Sequence, residues 1–294
     1  MAHFGLDDYK SSRPCALTLG FFDGVHRGHA ALLKKLVEVA QEKNLQPLVL
    51  TFDQRPRARA FPLLTSIEER LALLESFGVD VVVQKFTYAF SHLSPKNFLR
   101  KIASERLKAK IILAGYDCLF GKNASGNITT LKENAKIFGY ECLEEEPLLL
   151  EGEIVSTTLC RNMAKAGNFS RLEKFLGRPW TFTSRVEHGR AVGRILGYPT
   201  ANLCPEGLVA PPFGVYLADT DYGRALLYVG TRPTFADTRE IALEVFLLAK
   251  KSPNLYGKNL RVQPLLKIGE EKRYSNEEEL KAAIAAFEKL AKTL

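Results

Sequence analysis

The chain has 294 residues, of which 46% are hydrophobic and 25% are charged, and its formal net charge is +8. This composition is typical of a globular protein, and it excludes a disordered tail, a collagen-like repeat and a coiled coil. The length predicts two domains, and the positive charge suggests an anionic ligand.

The positive charge is spread along the chain. Residues 1–180 hold 25 basic and 20 acidic side chains, and residues 181–294 hold 16 and 13. The densest basic stretches are 55–59 and 101–110, which we interpret as a solvated loop and a solvated helix face. A nucleic-acid-binding protein stays open as an alternative, but it needs a clustered basic face with interleaved aromatic side chains. We therefore expect no nucleic-acid partner.

The cysteines indicate a reducing compartment. Five are present, and no two are closer than 18 residues, so a zinc ribbon and a thioredoxin motif are disfavoured. The first residues lack the apolar core of a signal peptide. No apolar run approaches the roughly 20 residues of a membrane span. We expect a cytoplasmic protein without a membrane partner.

The first half of the chain alternates strand and helix patterns. Apolar runs of strand length lie at 16–20, 48–52, 79–83 and 111–115. Helical patterns lie between them, at 30–43, from Thr65 (with Glu68 as a capping box) to Gly78, and from Ser94-Pro95 onward. This alternation predicts an α/β fold with a Rossmann-like, parallel sheet. Because ligands bind at the carboxyl ends of such strands, the loops after Gly20, Phe52 and Gly115 are the places to seek chemistry.

The second half predicts an antiparallel β-barrel. Short β-rich runs, separated by Gly and Pro, lie at 181–188, 214–219, 225–230, 241–248 and 259–266. One helix ends the chain, with Ser275 and Glu278 as its capping box. A helix over 162–176 precedes the predicted boundary, so we expect domains at 1–180 and 181–294.

The strongest motif follows the first predicted strand, in LGFFDGVHRGHAALL at 19–33. His26 and His29 lie at the start of a helix, whose free N–H groups and positive dipole end attract phosphate. Gly28 between them allows a close approach of the backbone. Their imidazoles add donors for charge that develops on a transferring phosphoryl group. The alternatives are a pair of capping or solvent-facing histidines and a His-x-x-His metal pair.

Two further stretches are suited to a nucleotide. Gly115, Asp117 and Gly121 form a glycine-spaced loop after a strand, in which Asp117 could bond a ribose or an amine. Arg161 opens a helix after Ser156, Thr157 and Thr158, whose hydroxyls suit N-caps, and its guanidinium could grip phosphates. The alternatives are an ordinary βα turn for the loop, and a helix cap with a surface arginine for the helix.

The second half contains candidate ligands for a metal ion and a candidate general base. Pro199-Thr200-Ala201-Asn202 ends a glycine-rich stretch, and its hydroxyl and amide oxygens suit Mg²⁺. Glu244 is a carboxylate within an apolar strand, where it is either an exposed surface residue or a general base.

These motifs resemble a known family. HRGH resembles the HxGH signature of the α/β-phosphodiesterase nucleotidylyltransferases, and GFFDGVHRGH resembles more narrowly the prokaryotic bifunctional riboflavin kinase/FAD synthetases. The other blocks of that family are similar to segments here, in the same order along nearly the whole chain: AGYDCLFGKNASGN at 114–127, VSTTLCR at 155–161, LGRPW at 176–180, GRAVGRILGYPTANL at 189–203, FGVYLAD, VGTRPTF, LEVFLL and NLYGKNL.

The resemblance implies an FMN adenylyltransferase domain at 1–180 and a barrel riboflavin kinase domain with a C-terminal helix at 181–294. It implies riboflavin, FMN and ATP as substrates, with Mg²⁺ as cofactor. The catalytic residues would be Glu244, His26, His29 and Arg161, and Mg²⁺ would be held by Thr200 and Asn202. ATP and flavin contacts would fall on Gly20, Phe22, Asp23, Gly24, Gly28, Gly115, Asp117, Gly121, Ser156, Thr158, Gly189, Gly193, Arg194, Gly197 and Pro199.

Several positions depart from the family's pattern. Gln54-Arg55 stands where Pro-His-Pro is usual, Cys118 replaces a Phe, and Tyr228 replaces an Asn. The usual arginine before Tyr274 is absent, because Gly269-Glu270-Glu271 stands there, and Phe287 replaces an Asp. The alternative function is therefore an FMN adenylyltransferase whose kinase domain is weak or only binds flavin. An HxGH transferase for another substrate is a further alternative, and the oligomeric state stays open.

Overall fold

The structure is a computed structural model, and it describes residues 2–6, 8–54, 62–188, 198–204, 207–232, 240–249, 253–272 and 274–293. Contacts divide the chain into two compact units, one of residues 1–60 and 67–157 and the other of residues 61–66 and 158–294. This division differs from the predicted boundary near residue 180, because residues 158–180 pack with the second unit.

The first unit contains a six-stranded parallel sheet, which confirms the predicted Rossmann-like fold. Its strands are β1 (Ala2–Phe4), β2 (Cys15–Leu19), β3 (Gln46–Phe52), β4 (Asp80–Gln84), β5 (Ala109–Gly115) and β6 (Glu141–Glu145). They lie in the order β1-β4-β3-β2-β5-β6, and each neighbouring pair is parallel. The short edge strand β1 and the strand β6 are additions to the prediction.

Helices cover both faces of this sheet. They are α1 (Arg27–Glu42), α2 (Ile67–Glu75), α3 (Tyr88–Ser91), α4 (Pro95–Asn97), which continues as a π-helix over Phe98–Arg106, and α5 (Ile128–Phe138). Successive residues of a strand point to opposite faces. Leu48 and Leu50 therefore enter one apolar cluster, whereas Val49 enters the other, beside Leu33 and Leu36 of α1. With both faces buried, polar chemistry is confined to the loops at the strand ends. A small hairpin follows, with strands β7 (Leu149–Leu150) and β8 (Glu153–Ile154).

The second unit contains a closed antiparallel barrel and a C-terminal helix, as predicted. The barrel strands are β9 (Phe182–Glu187), β10 (Thr200–Leu203), β11 (Gly214–Thr220), β12 (Gly223–Arg232), β13 (Glu240–Leu247) and β14 (Asn259–Gly269), in the order β10-β13-β12-β11-β14-β9. Helices α6 (Thr157–Ala166) and α7 (Phe169–Leu176) precede the barrel, and α8 (Glu277–Ala291) ends it. The predicted PTAN loop is partly strand, because Thr200–Leu203 pairs with β13 and β9.

The barrel strands alternate between a buried interior and an outer face. Leu227, Leu243 and Val245 fill the interior and are at most 1% exposed. Their neighbours Leu226 and Phe246 point outward, where they pack with Phe287 and Ala291 of α8. The period of two that identified these strands therefore also places every second side chain, Glu244 included, on the outer face.

The segment 62–66 belongs with the second unit although it lies between β3 and α2 in sequence. The Leu63 N–H donates to the Gly207 carbonyl at 2.6 Å, and the Val209 N–H donates to the Leu63 carbonyl at 2.8 Å. The indole N–H of Trp180 donates to the carbonyl of Leu64 at 3.1 Å. The two main-chain bonds fix the segment to the strand-like stretch around Leu208, and the indole bond ties it to Trp180.

Two predicted helix features are wrong. The helix expected over 162–176 is two helices, because Gly167 has a φ of +75° and ends α6. The Asn168 N–H donates back to the Met163 carbonyl at 3.0 Å, which is the Schellman pattern of a glycine-terminated helix. The apolar spacing continues through Gly167, so the pattern alone predicted one helix.

The second correction concerns the cap of α8. Asn276, not Ser275, is the N-cap, and its side chain accepts from the Glu279 N–H at 2.9 Å. The Glu279 carboxylate in turn accepts from the Ser275 N–H at 3.2 Å. The capping box is therefore shifted by one residue.

We expect Asn276→Ala to lower the free energy of unfolding by about 1 kcal/mol, because it removes the side-chain acceptor of the cap. Ser275→Ala is the matched control, since the Ser275 N–H is a main-chain group and survives the substitution. Urea denaturation of both variants measures the difference. An equal loss for Ser275→Ala would contradict the corrected cap.

Candidate active sites

The loop of residues 20–26 connects β2 to α1 at the carboxyl end of the sheet. The Gly20 N–H donates to the Leu50 carbonyl at 3.1 Å, and the Thr51 hydroxyl donates to the Phe21 carbonyl at 3.3 Å. The loop is therefore tied to β3 at its start. Phe22 is buried, and its ring meets His29 edge-on at 5.1 Å between centroids.

His26 and His29 form a stacked pair at the start of α1. His26 is the N-cap, and its Nδ1 accepts from the His29 main-chain N–H at 3.3 Å. The two rings are 3.7 Å apart and nearly parallel. Gly28 permits this packing, because an added Cβ would lie 3.2 Å from the His26 ring and 3.4 Å from the Val155 carbonyl. His26 is thus a capping histidine, as one alternative proposed, and it also shapes the helix N-terminus.

His29 is uncharged at neutral pH. Burial, together with the neighbouring His26, lowers the pKa of His29 well below its usual 6.5. Its Nδ1 is buried and has no hydrogen-bond partner among the described residues. A neutral imidazole carries one N–H donor, so His29 can donate to a phosphate oxygen without bringing a full charge.

The VSTT block lies beside this loop. The Thr157 hydroxyl donates to the Asp23 carbonyl at 3.4 Å. The sequence predicted nucleotide contacts at its neighbours, Ser156, which is half-buried, and Thr158, which is exposed. It named Thr157 only as a candidate helix cap, and in the structure Thr157 is the first residue of α6.

The predicted nucleotide loop after β5 is a closed turn. Phe120 and Gly126 exchange main-chain hydrogen bonds of 3.0 and 2.9 Å, which bring the two ends of the loop together. Gly121 lies against Pro95, where an added Cβ would be 2.9 Å from the proline nitrogen. Gly115 and the exposed Asp117 lie at the same sheet edge as Gly20, because β5 is the parallel neighbour of β2.

Arg161 is buried in the second unit. It lies on α6, one turn after Thr157, and its Nε donates to the Pro62 carbonyl at 2.8 Å. It is therefore not a surface arginine. Its predicted contact with phosphates stays a prediction.

The kinase-like residues line up on the outer face of the barrel. Glu244 of β13 lies directly opposite Asn202 of β10 on one side and Tyr228 of β12 on the other. The Thr200 hydroxyl donates to the Glu244 carboxylate at 3.2 Å. Glu244 is half-buried and Asn202 is buried. The structure thus brings Thr200, Asn202 and Glu244 together, whereas the predicted Gly189, Gly193, Arg194 and Gly197 lie outside the described residues.

The positions that depart from the family's pattern contact one another on this face. The Glu271 carboxylate accepts from the Thr231 N–H at 3.0 Å and lies 3.5 Å from the Tyr228 hydroxyl. Burial raises the pKa of Tyr228, and the charges of Glu271 and Glu244 raise it further. The ring of Phe287 lies where a side chain at Gly269 would project. Tyr228 is therefore a neutral phenol between two carboxylates.

A small cavity of about 80 Å³ opens beside Thr200. Val186, the exposed Pro199, Leu255 and Tyr256 are among its lining residues. The ring of His188 stacks on Tyr256 at 4.1 Å between centroids. The cavity thus places an aromatic surface near the Thr200 hydroxyl.

The donor set of the barrel face suits a hard cation. Thr200, Asn202 and Glu244 offer hydroxyl, amide and carboxylate oxygens, which are the ligands that Mg²⁺ prefers. In the described ranges, no group of three or more His, Cys, Asp or Glu side chains could hold a metal ion. The His26–His29 pair is therefore not part of such a group.

The fold and the two sites define a two-unit, nucleotide-dependent transferase. The family model for FAD synthetase matches residues 8–159, and the model for riboflavin kinase matches residues 176–294. The chain belongs to the family of bifunctional riboflavin kinase/FMN adenylyltransferases, which are transferases.

Curated relatives with that description cover almost the whole chain. The relative from Escherichia coli K12 is 35% identical over 95% of this chain and 92% of its own length. The relative from Pseudomonas fluorescens is 34% identical over 96% and 93%. The relative from Haemophilus influenzae is 33% identical over 92% and 91%.

A solved structure described as a macrolide-efflux protein from Streptococcus pneumoniae is also similar. It superposes with a TM-score of 0.84 at 28% identity and covers 100% of this chain and 99% of its own. Within the described part of the present chain, no helix is both long enough and apolar enough to span a lipid bilayer.

The lowered pKa of His29 predicts a pH dependence of stability. The unfolded chain takes up a proton at His29 below pH 6.5, whereas the folded chain does not, so stability falls as the pH falls from 6.5 toward the lowered pKa. Between pH 7.5 and 5.5 we expect His29→Asn to lose about 1 kcal/mol less free energy of unfolding than the wild type. Urea denaturation at the two pH values measures this.

The exposed Gln41 on the same helix provides the control. Gln41→Asn changes no ionisable group and should keep the wild-type pH dependence. If His29→Asn lost as much stability on acidification as the wild type, the neutral state of His29 would be refuted.

Proposed function

We propose that the chain makes FAD from riboflavin in two ATP-dependent steps. Residues 181–294 phosphorylate riboflavin to FMN, and residues 1–180 join FMN to AMP and release pyrophosphate. The observation that carries the kinase step is the contact between Thr200 and Glu244 on the outer barrel face. The stacked His26–His29 pair at the N-terminus of α1 supports the adenylyl transfer.

In the kinase step, Glu244 is the general base. It accepts the proton of the terminal ribityl hydroxyl of riboflavin while that oxygen bonds to the γ-phosphorus of ATP. The bond from the γ-phosphorus to the β,γ-bridging oxygen breaks, and ADP leaves. The Thr200 hydroxyl, which donates to Glu244, holds the carboxylate on the reacting face.

Thr200 and Asn202 would hold Mg²⁺ together with ATP. The metal supplies positive charge to the phosphates as negative charge develops on them. The hydroxyl and amide oxygens leave room for the water and phosphate ligands that Mg²⁺ retains.

In the adenylyl transfer, the FMN phosphate itself is the nucleophile. Its oxygen bonds to the α-phosphorus of ATP, and the bond to the β-phosphate breaks to release pyrophosphate, so no protein nucleophile is needed. His26 and His29 position the phosphates and stabilise their charge. The free N–H groups at the start of α1 add donors that carry no counter-charge. We place this chemistry in the cytoplasm, with riboflavin, FMN and ATP as the partners.

The second candidate function is an FMN adenylyltransferase whose barrel binds flavin without phosphorylating it. Tyr228 favours this candidate, because a tyrosine ring beside Glu244 occupies more of the outer face than the asparagine that is usual in the family. The test is whether the protein, given riboflavin and Mg²⁺–ATP, forms FMN.

We expect two variants to separate the activities. His29→Ala should convert riboflavin to FMN and stop there, because only the phosphate site of the first unit is altered. Glu244→Gln should make no FMN from riboflavin but should still convert added FMN to FAD. Chromatography of the flavin products measures both.

The activity that each variant retains is its folding control: FMN formation for His29→Ala, and FAD formation from FMN for Glu244→Gln. Wild-type FAD formation by His29→Ala would refute the adenylyltransferase site. Wild-type FMN formation by Glu244→Gln would refute the base. A wild-type protein that makes FAD only from FMN would select the second candidate function.

A further inference from the structure

Arg70 is a buried charge for which the proposed mechanism has no use. It lies on α2, it is only 1% exposed, and it is the largest fully buried side chain among the described residues. Burying a guanidinium is unfavourable unless it is paired or hydrogen-bonded, so such a residue has a structural or functional reason.

The contacts of Arg70 join three elements at the carboxyl edge of the parallel sheet. Its Nη2 donates to the carbonyl of Phe52, the last residue of β3, at 2.6 Å. Its guanidinium carbon lies 4.0 Å from the centre of the Phe21 ring, in the loop 20–26. Its Nε is buried and has no hydrogen-bond partner among the described residues. The side chain therefore clamps this loop to the end of β3.

The surrounding charges keep Arg70 protonated. Burial lowers its pKa to about 10, and the carboxylates of Asp23, Asp53 and Glu68 oppose that shift. Asp23 belongs to the loop, Asp53 follows β3, and Glu68 lies on α2 itself. The clamp is thus a cation at neutral pH.

The loop is strained where Arg70 supports it. Phe22 has a φ of 56° and Val25 a φ of 37°, both in the left-handed region that side-chain-bearing residues avoid, and Val25 is β-branched. Such conformations persist only where the surroundings impose them, and they cluster at functional sites. Phe21 lies directly before the first of these residues, and His26 lies directly after the second.

We propose that Arg70 is a positioning residue for adenylyl transfer: its buried guanidinium fixes the loop 20–26 against β3, so that His26 and His29 face the phosphates of ATP. Arg70 acts through the loop and touches no substrate. This role rests on the proposed function of the first unit.

The test compares Arg70→Met with Arg70→Lys. Arg70→Met leaves the Phe52 carbonyl and the nearby carboxylates without their partner, whereas Arg70→Lys keeps the positive charge, so Arg70→Met should be the less stable of the two. Both variants are therefore compared at a temperature where unfolding curves show that they are folded. There the kcat for FAD formation should fall in the order wild type, Arg70→Lys, Arg70→Met. A loss on the order of 10- to 100-fold is expected for Arg70→Met, as for other displaced catalytic groups.

Two controls keep this test decisive. Riboflavin phosphorylation by the same chains should stay at the wild-type rate, and Ala72→Ser, an exposed change on the same helix, should leave FAD formation unchanged. If the Arg70 variants do not fold, Phe21→Leu removes the ring partner and retains the arginine. It should lower the kcat for FAD formation while riboflavin phosphorylation is unchanged.

A folded Arg70→Met with the wild-type kcat for FAD formation would overturn the role of Arg70, as would an unaffected Phe21→Leu. A wild-type protein that makes no FAD from FMN would instead refute the proposed function itself.

Discussion

The turn from β2 into α1 is the constraint on which the first unit's chemistry depends. The sheet is buried on both faces, so its polar groups are confined to the strand ends. At this end the Nδ1 of His26 accepts from the His29 N–H, and that single bond both caps the helix and brings the two imidazoles into contact. The remaining N–H groups of the first turn are then directed at whatever anion binds there.

In the second unit, the alternation of side chains along the strands positions the candidate site. A closed barrel with a packed interior leaves only its outer face for ligands, and the period of two places Asn202, Glu244 and Tyr228 side by side on three adjacent strands. The contact between Tyr228 and Glu271 shows that two departures from the family's pattern are neighbours in space. They form one altered surface beside Glu244, the proposed base. Any effect of these two departures on the kinase activity would therefore arise at this one surface.

Much of this arrangement could be predicted from the sequence, because the strands are apolar runs and the motifs follow them directly. One prediction failed because the helical spacing of apolar residues continues through Gly167, where α6 ends. Two helices were therefore predicted as one. β10 was missed because four residues of a motif were treated as loop. Arg70 gave no signal at all, since an arginine in a helix looks solvated until the fold shows what surrounds it.

We propose that the chain holds two separate and complete sites, and a mixing experiment tests this most directly. His29→Ala and Glu244→Gln are combined in one tube with riboflavin and Mg²⁺–ATP, and FAD is followed by chromatography. Neither variant alone should yield FAD, whereas the mixture should, because FMN released by the first is adenylylated by the second. A mixture that forms FMN but no FAD, under conditions where the wild type forms FAD, would contradict the claim.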